Sequence, residues 1–147
     1  MGKIALFAAL FAFAAPAVAQ QAPKLVTPDM LTWQDHPVFK GAQTVILMGD
    51  PSKAEPIIQR VRFPANYRVP AHTHPYDEIV TVMTGRFGNA MDENAKGDVL
   101  KAGSVFLLPK GHVHHVWTES EETIVQISFT GPGGVTFANP ADDPRKK

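Results

Sequence analysis

Two histidines separated by one residue, His72 and His74, stand just before an acid, Glu78. About thirty-five residues further on, Pro109-Lys110-Gly111 leads into a third histidine, His114. An imidazole offers a neutral nitrogen, and a glutamate supplies an oxygen and negative charge. Three of the first and one of the second make a ligand set for a divalent transition metal. The chain has no cysteine, which excludes thiolate ligands and a cysteine nucleophile. If the two halves meet in space, the fold must bring two strands together around a buried polar site.

In an extended strand, residues two apart face the same side, so His72 and His74 can reach one point. Glu78 has the same parity. Pro70 and Pro75 make this a kinked segment, as strand ends near sites often are. The Pro109-x-Gly111 turn places His114 at the start of the following strand. His112 shares its parity and is read either as a donor or substrate contact at the site mouth or as an exposed turn residue. His115 faces the other way, and His36 belongs to the surface. Tyr76, Asp77 and Arg86 lie near the motifs, and Arg60 and Arg62 lie on the strand before them. An inward arginine would anchor a substrate carboxylate, and an outward one would be a solvated charge. Tyr76 and Arg62 join His112 as candidate contacts to the ligands or substrate.

The elements that must hold these residues are short and β-rich. Runs at 44–48, 57–63, 79–84, 86–91, 99–101, 105–108, 113–118, 123–129 and 135–137 are punctuated by Gly, Pro, Asn and Asp. No helical period competes with them. Even spacing with turn signals points to an all-β sandwich or barrel. Alternation sends Val80, Val82 and Val116 inward, with either Val125, Ile127 and Phe129 or Ile124, Gln126 and Ser128.

The two histidine segments resemble the paired motifs of the cupin superfamily. The first family pattern is Gly, five residues, His-x-His, three or four residues, Glu, six residues, Gly. This chain reads Asn66, five residues, His72-Thr73-His74, three residues, Glu78, six residues, Gly85. The second pattern is Gly, five residues, Pro-x-Gly, two residues, His, three residues, Asn. This chain reads Gly103, five residues, Pro109-Lys110-Gly111, two residues, His114, three residues, Thr118. Asn66 replaces a glycine but tolerates positive φ nearly as well. Thr118 replaces an asparagine. The resemblance covers roughly 44–137 and implies a jelly roll, or double-stranded β-helix barrel, with a short N-terminal arm. It also implies a metal inside the barrel held by His72, His74, Glu78 and His114. The competing reading is a barrel without metal, its histidines satisfied by hydrogen bonds.

Such a ligand set leaves about two positions of an octahedron for water, oxygen or substrate. It suits Cu, Zn, Mn, Fe, Ni or Co. The function expected is a small metal-dependent oxidoreductase of the dioxygenase type seen in many cupins, acting on a small organic molecule. A redox-neutral isomerase or lyase, with the metal as Lewis acid, is the second reading. A non-catalytic barrel that binds metal or senses a ligand is the third.

Residues 1–19 read as a signal peptide: Lys3, an apolar run of about twelve residues from Ile4, Pro16, then Ala17-Val18-Ala19. The run is short for a membrane span, and an uncleaved anchor is the alternative. Export to the periplasm or outside the cell follows, with no stable membrane insertion after cleavage. No twin arginine precedes the run, so metal would be taken up outside the cytosol, favouring Cu, Zn or Mn over Fe. The mature chain is one domain of about 128 residues, near neutral in charge. Its basic residues form no patch beyond Arg145-Lys146-Lys147, which excludes a nucleic-acid partner. Residues 20–42 read as an arm, 43–138 as the barrel and 139–147 as a polar tail. Thr27-Pro28-Asp29 starts a short helical turn in the arm. By resemblance to other single-domain cupins the arm would cross to a second copy in a homodimer. The alternative is an arm folded on its own barrel.

Overall fold

A computed structural model describes residues 24–92 and 94–146, so the expected signal peptide lies outside the described residues. Strands β1 (Gln34–Asp35), β2 (Gln43–Met48), β3 (Pro56–Phe63), β4 (Arg68–Thr73), β5 (Glu78–Thr84) and β6 (Arg86–Ala90) come first. Then follow β7 (Asp98–Lys101), β8 (Val105–Leu108), β9 (His114–Thr118), β10 (Thr123–Thr130) and β11 (Thr136–Phe137). The only helical pieces among the described residues are three single 3₁₀ turns, at Pro28–Met30, Pro140–Asp142 and Pro144–Lys146. No helix among the described residues is long and apolar enough to cross a membrane.

The strands form two antiparallel sheets. One has the order β1-β2-β3-β10-β5-β8 and the other β11-β4-β9-β6-β7. The chain passes from the first sheet to the second at β3–β4, β5–β6, β8–β9 and β10–β11, which is the jelly-roll, double-stranded β-helix arrangement expected. Each sheet buries one face against the other, so the strands alternate between buried and partly exposed side chains. On β3, Ile57, Val61 and Phe63 are buried, and on β5, Val80 and Val82. On β10 the inward set is Val125, Ile127 and Phe129, which decides between the two alternations open in the sequence. Phe63, Phe87 and Phe106 meet across the core at centroid distances of 5.7 and 6.2 Å.

The sequence shows β4 as a kinked segment; the structure makes it a six-residue strand. Its ladder with β9 is interrupted between Val69 and His72. Pro70 sits in that interruption, where a residue without an N–H costs no ladder bond. The pairing resumes with His72 opposite His114. Asn66 turns the chain into β4 with φ 56°, in the left-handed region that asparagine tolerates. Thr118, in the place of the family asparagine, closes the same corner. Its hydroxyl donates to Pro64 O at 2.6 Å and accepts from Tyr67 N at 2.9 Å.

The described part of the arm lies on its own barrel. β1 pairs with β2, and the Trp33 ring lies under the Arg62 guanidinium at 4.6 Å. His36 is half-buried rather than a free surface residue. Its Nδ1 accepts the N–H groups of Phe39 at 2.9 Å and Val38 at 3.2 Å, so it acts as the cap of a tight turn. Burial lowers its pKa to about 4.

Candidate metal centre

His72 lies near the end of β4, His74 just beyond it, Glu78 opens β5 and His114 opens β9. The turn at Pro109–Gly111 is pinned to the corner between β4 and β5. Gly111 N donates to His74 O at 2.9 Å, and Lys110 N donates to Asp77 Oδ1 at 2.8 Å. Two segments far apart in sequence are thereby held at one end of the barrel, and their imidazoles converge. Ring centroids are 4.2 Å apart for His72 and His114, 4.9 Å for His72 and His74, and 5.4 Å for His74 and His114. One nitrogen from each of the three lies within 4.8 Å of the other two.

The outer nitrogen of each ring is engaged. Nδ1 of His72 donates to Pro70 O at 2.7 Å, and that of His74 to Gly134 O at 2.9 Å. Nδ1 of His114 donates to Asn89 Oδ1 at 3.2 Å. A carbonyl oxygen can only accept, so each Nδ1 carries the proton and each lone pair is left on Nε2. This is the arrangement by which outer partners orient metal-binding histidines. His114 Nε2 is fully buried and has no hydrogen-bond partner among the described residues. A buried acceptor without a partner is costly, and a cation among the three Nε2 atoms would satisfy it.

Burial also sets the protonation states. It lowers the pKa of His72 to about 3 and that of His114 to about 2, with the neighbouring imidazoles adding to both. His74 is lowered too, chiefly by burial. All three are neutral bases at pH 7, as ligation requires. Glu78 is 3% exposed, and burial raises its pKa to about 8. Its Oε1 lies 3.7 Å from His74 Nε2. Burial thus favours a neutral acid beside a neutral base over an ion pair. Glu78 stands just outside the three-nitrogen cluster, and a divalent cation there would favour its ionised form.

The cavity over the cluster is small, about 30 Å³, and is walled by Phe63, Val80, Phe87, Phe106, Val125 and Ile127 among others. No lysine or arginine lines it among the described residues. Tyr76 flanks the site as the sequence suggested. Its phenol oxygen lies 3.2 Å from His74 Nδ1, and its ring stacks between His74 at 5.3 Å and Phe129 at 4.1 Å. Burial raises its pKa, so it stays a neutral phenol.

Two candidates are corrected. Arg62 does not reach the cavity: its neighbours Val61 and Phe63 take the inward positions, and alternation sends it outward. There its Nε donates to Gln43 Oε1 at 3.0 Å. His112 is an exposed turn residue whose Nε2 donates to Met91 O at 2.7 Å, and it lines a separate surface hollow. His115 faces away from the cavity, as expected, and stacks on Trp117.

Two contributors were not legible as site residues. Asn89 is a buried amide in the run 86–91, a strand whose faces the sequence leaves unassigned, and a lone polar residue at an inward position was the available signal. Phe39 comes from the arm and meets the His72 ring edge-on at 5.7 Å. Nothing in its local sequence marks that contact.

Residues 59–129 match the cupin domain family. The germin-like protein 2-3 of Oryza sativa subsp. japonica is 39% identical over 79 residues. That match spans 48% of this chain and 35% of the rice protein. The structure of the polyketide cyclase RemF from Streptomyces resistomycificus superposes with a TM-score of 0.70 at 16% identity, covering 85% of this chain and 92% of that one. An oxalate oxidase structure superposes at 0.54 with 26% identity, over 67% of this chain and 55% of that one. The family match over the histidine-bearing strands, together with the double-stranded barrel that carries them, shows that the chain belongs to the cupin superfamily.

Proposed function

We infer that the protein is an exported, metal-dependent cupin that oxidises a small organic molecule. His72, His74 and His114 would hold one divalent transition metal through their Nε2 atoms, with Glu78 as the anionic donor. The observation that carries this is the set of three neutral imidazoles with Nδ1 engaged and the buried Nε2 of His114 unpartnered. Such a metal, when bound, supplies Lewis acidity and, if redox-active, electron transfer at its open positions. The chain's own residues do the rest. The apolar wall excludes water and selects a small ligand body. Asn89, Pro70 O and Gly134 O keep the rings aimed, and Glu78 can take or hold a proton beside the site. Among the described residues no cation lines the cavity, which disfavours a substrate held by its carboxylate away from the metal. The likeness to an oxalate oxidase supports oxidation as the reaction class.

Export rests on Lys3, the apolar run and Ala17-Val18-Ala19. A homodimer belongs to the same reading; because β1 and the residues after it lie on their own barrel, the contact would fall on the leading part of the arm, where Leu25 is 78% exposed. Sizing the chain with and without residues 20–40 tests it.

Elemental analysis of protein taken from its native compartment tests the central claim. The expected result is about one Cu, Zn or Mn per chain, with oxygen uptake in the presence of the substrate if the metal is redox-active. No metal in the wild type, and no uptake on titration, would overturn it. A redox-neutral reaction is favoured instead by one observation, the Glu78 carboxyl standing 3.7 Å from His74 Nε2, where it can exchange a proton with a ligand at the site. Turnover with zinc under nitrogen would select that reading.

A further inference from the structure

The cavity over the three imidazoles is walled by barrel residues except at one point, where Phe39 enters from the arm. The same ring also lines a second cavity of about 150 Å³ on the outside, together with Tyr67, Pro70 and Phe137. Phe39 is thus the partition between the metal cavity and an outer vestibule. Its ring contacts His72 on the inner side at 5.7 Å and Phe63 at 6.1 Å.

The segment that carries it is built as a separate unit. His36 N donates to Ala42 O at 2.9 Å, and Ala42 N to Phe39 O at 3.0 Å, closing the loop on itself. His36 holds the Phe39 and Val38 N–H groups at Nδ1 and stacks on the Phe39 ring at 4.5 Å with an interplanar angle of 12°. Attachment to the barrel is slighter. β1 offers two ladder pairs, Gln34 with Thr44 and Asp35 with Gln43, and the Tyr67 hydroxyl donates to Lys40 O at 2.8 Å. Gly41, at φ 89°, completes the turn in a conformation other residues resist. A self-closed loop with few bonds to the sheet can open at lower cost than the strands around it.

We propose that Phe39 is the entrance residue of the site. The His36-capped loop swings it as a unit, and its ring decides what reaches the three imidazoles from the vestibule. The proposal rests on the metal-site reading for its function, but its geometry does not depend on a bound metal.

The test uses diethyl pyrocarbonate, which acylates a neutral imidazole nitrogen, on the full chain without added metal, with mass spectrometry locating the modified histidines. In the wild type, His72 and His114 react slowly. Phe39→Ala should speed both by about tenfold or more, the scale on which local opening differs from cooperative unfolding. Phe39→Leu should fall between, and Phe39→Trp should be no faster than wild type. Val82→Ala, at a buried position that lines neither cavity, should leave both rates unchanged. Equal rates across the Phe39 series overturn the proposal. A rise in Phe39→Ala matched by faster amide exchange throughout β4 and β9 also overturns it, because the barrel and not the entrance has then loosened. Zinc separates the two readings: if it fails to protect His72, His74 and His114 in the wild type, the metal reading falls, while the rate series still decides the entrance.

Discussion

At the scale of single residues, the site is defined as much by what holds the imidazoles as by the imidazoles themselves. Asn89 is the side chain that holds His114, whereas His72 and His74 lean chiefly on backbone carbonyls that no substitution removes. Asn89→Ala leaves His114 Nδ1 without its acceptor and frees the ring to turn. The expected loss in metal affinity is about 10–100-fold, as for other outer partners of metal-bound histidines, read by competition with a chromophoric chelator. His36 gives a pH prediction away from the metal. Its folded pKa of about 4 lies below the unfolded 6.5, so the folded state takes up its proton later than the unfolded one. The stabilisation it gives the turn is therefore whole above pH 6.5 and is lost as pH falls from 6.5 through about 4. Protonation also removes the Nδ1 lone pair that accepts from Val38 and Phe39. Protection of those two amides against exchange should fall through that window, and in His36→Phe it should be low at every pH.

At the scale of elements, strand parity was the signal that could be read in advance. His72, His74 and the opening of the next strand follow from a period of two, and the Pro109–Gly111 turn announces itself by composition. The inward set on β10 could not be chosen, because Val125 and Ile124 are equally apolar and only the register with β3 and β5 decides. Phe39 and Arg62 failed for a related reason. Whether a ring or a guanidinium faces in depends on which neighbours claim the interior, and those lie on other strands. β6 shows a further tertiary demand. Gly88 lies beneath the Trp117 ring of β9, where an added Cβ would overlap the indole. Gly88→Ala should displace that ring and destabilise the fold by about 1–3 kcal/mol, measured by urea denaturation. Val82→Phe, at a position 1% exposed, should cost a similar amount.

At the scale of the whole molecule, the centre is a local weakness in an otherwise well-packed barrel. It sets an unpartnered nitrogen and a buried acid among phenylalanines and valines. A cation that binds the folded chain alone would offset this. With free metal at a hundred times its Kd the gain is about 2.7 kcal/mol, so a chelator should lower the melting temperature of the loaded protein. The His72→Ala chain should melt at the same temperature with and without metal. The rung shared by His72 and His114 carries a final consequence. A slip of one residue between β4 and β9 would turn one of these imidazoles away from the other. No chain paired in that way could gather three nitrogens around one ion. Metal captured during folding would then act as a proofreader, retaining barrels whose strands are correctly matched and leaving the mismatched ones free to unpair and try again.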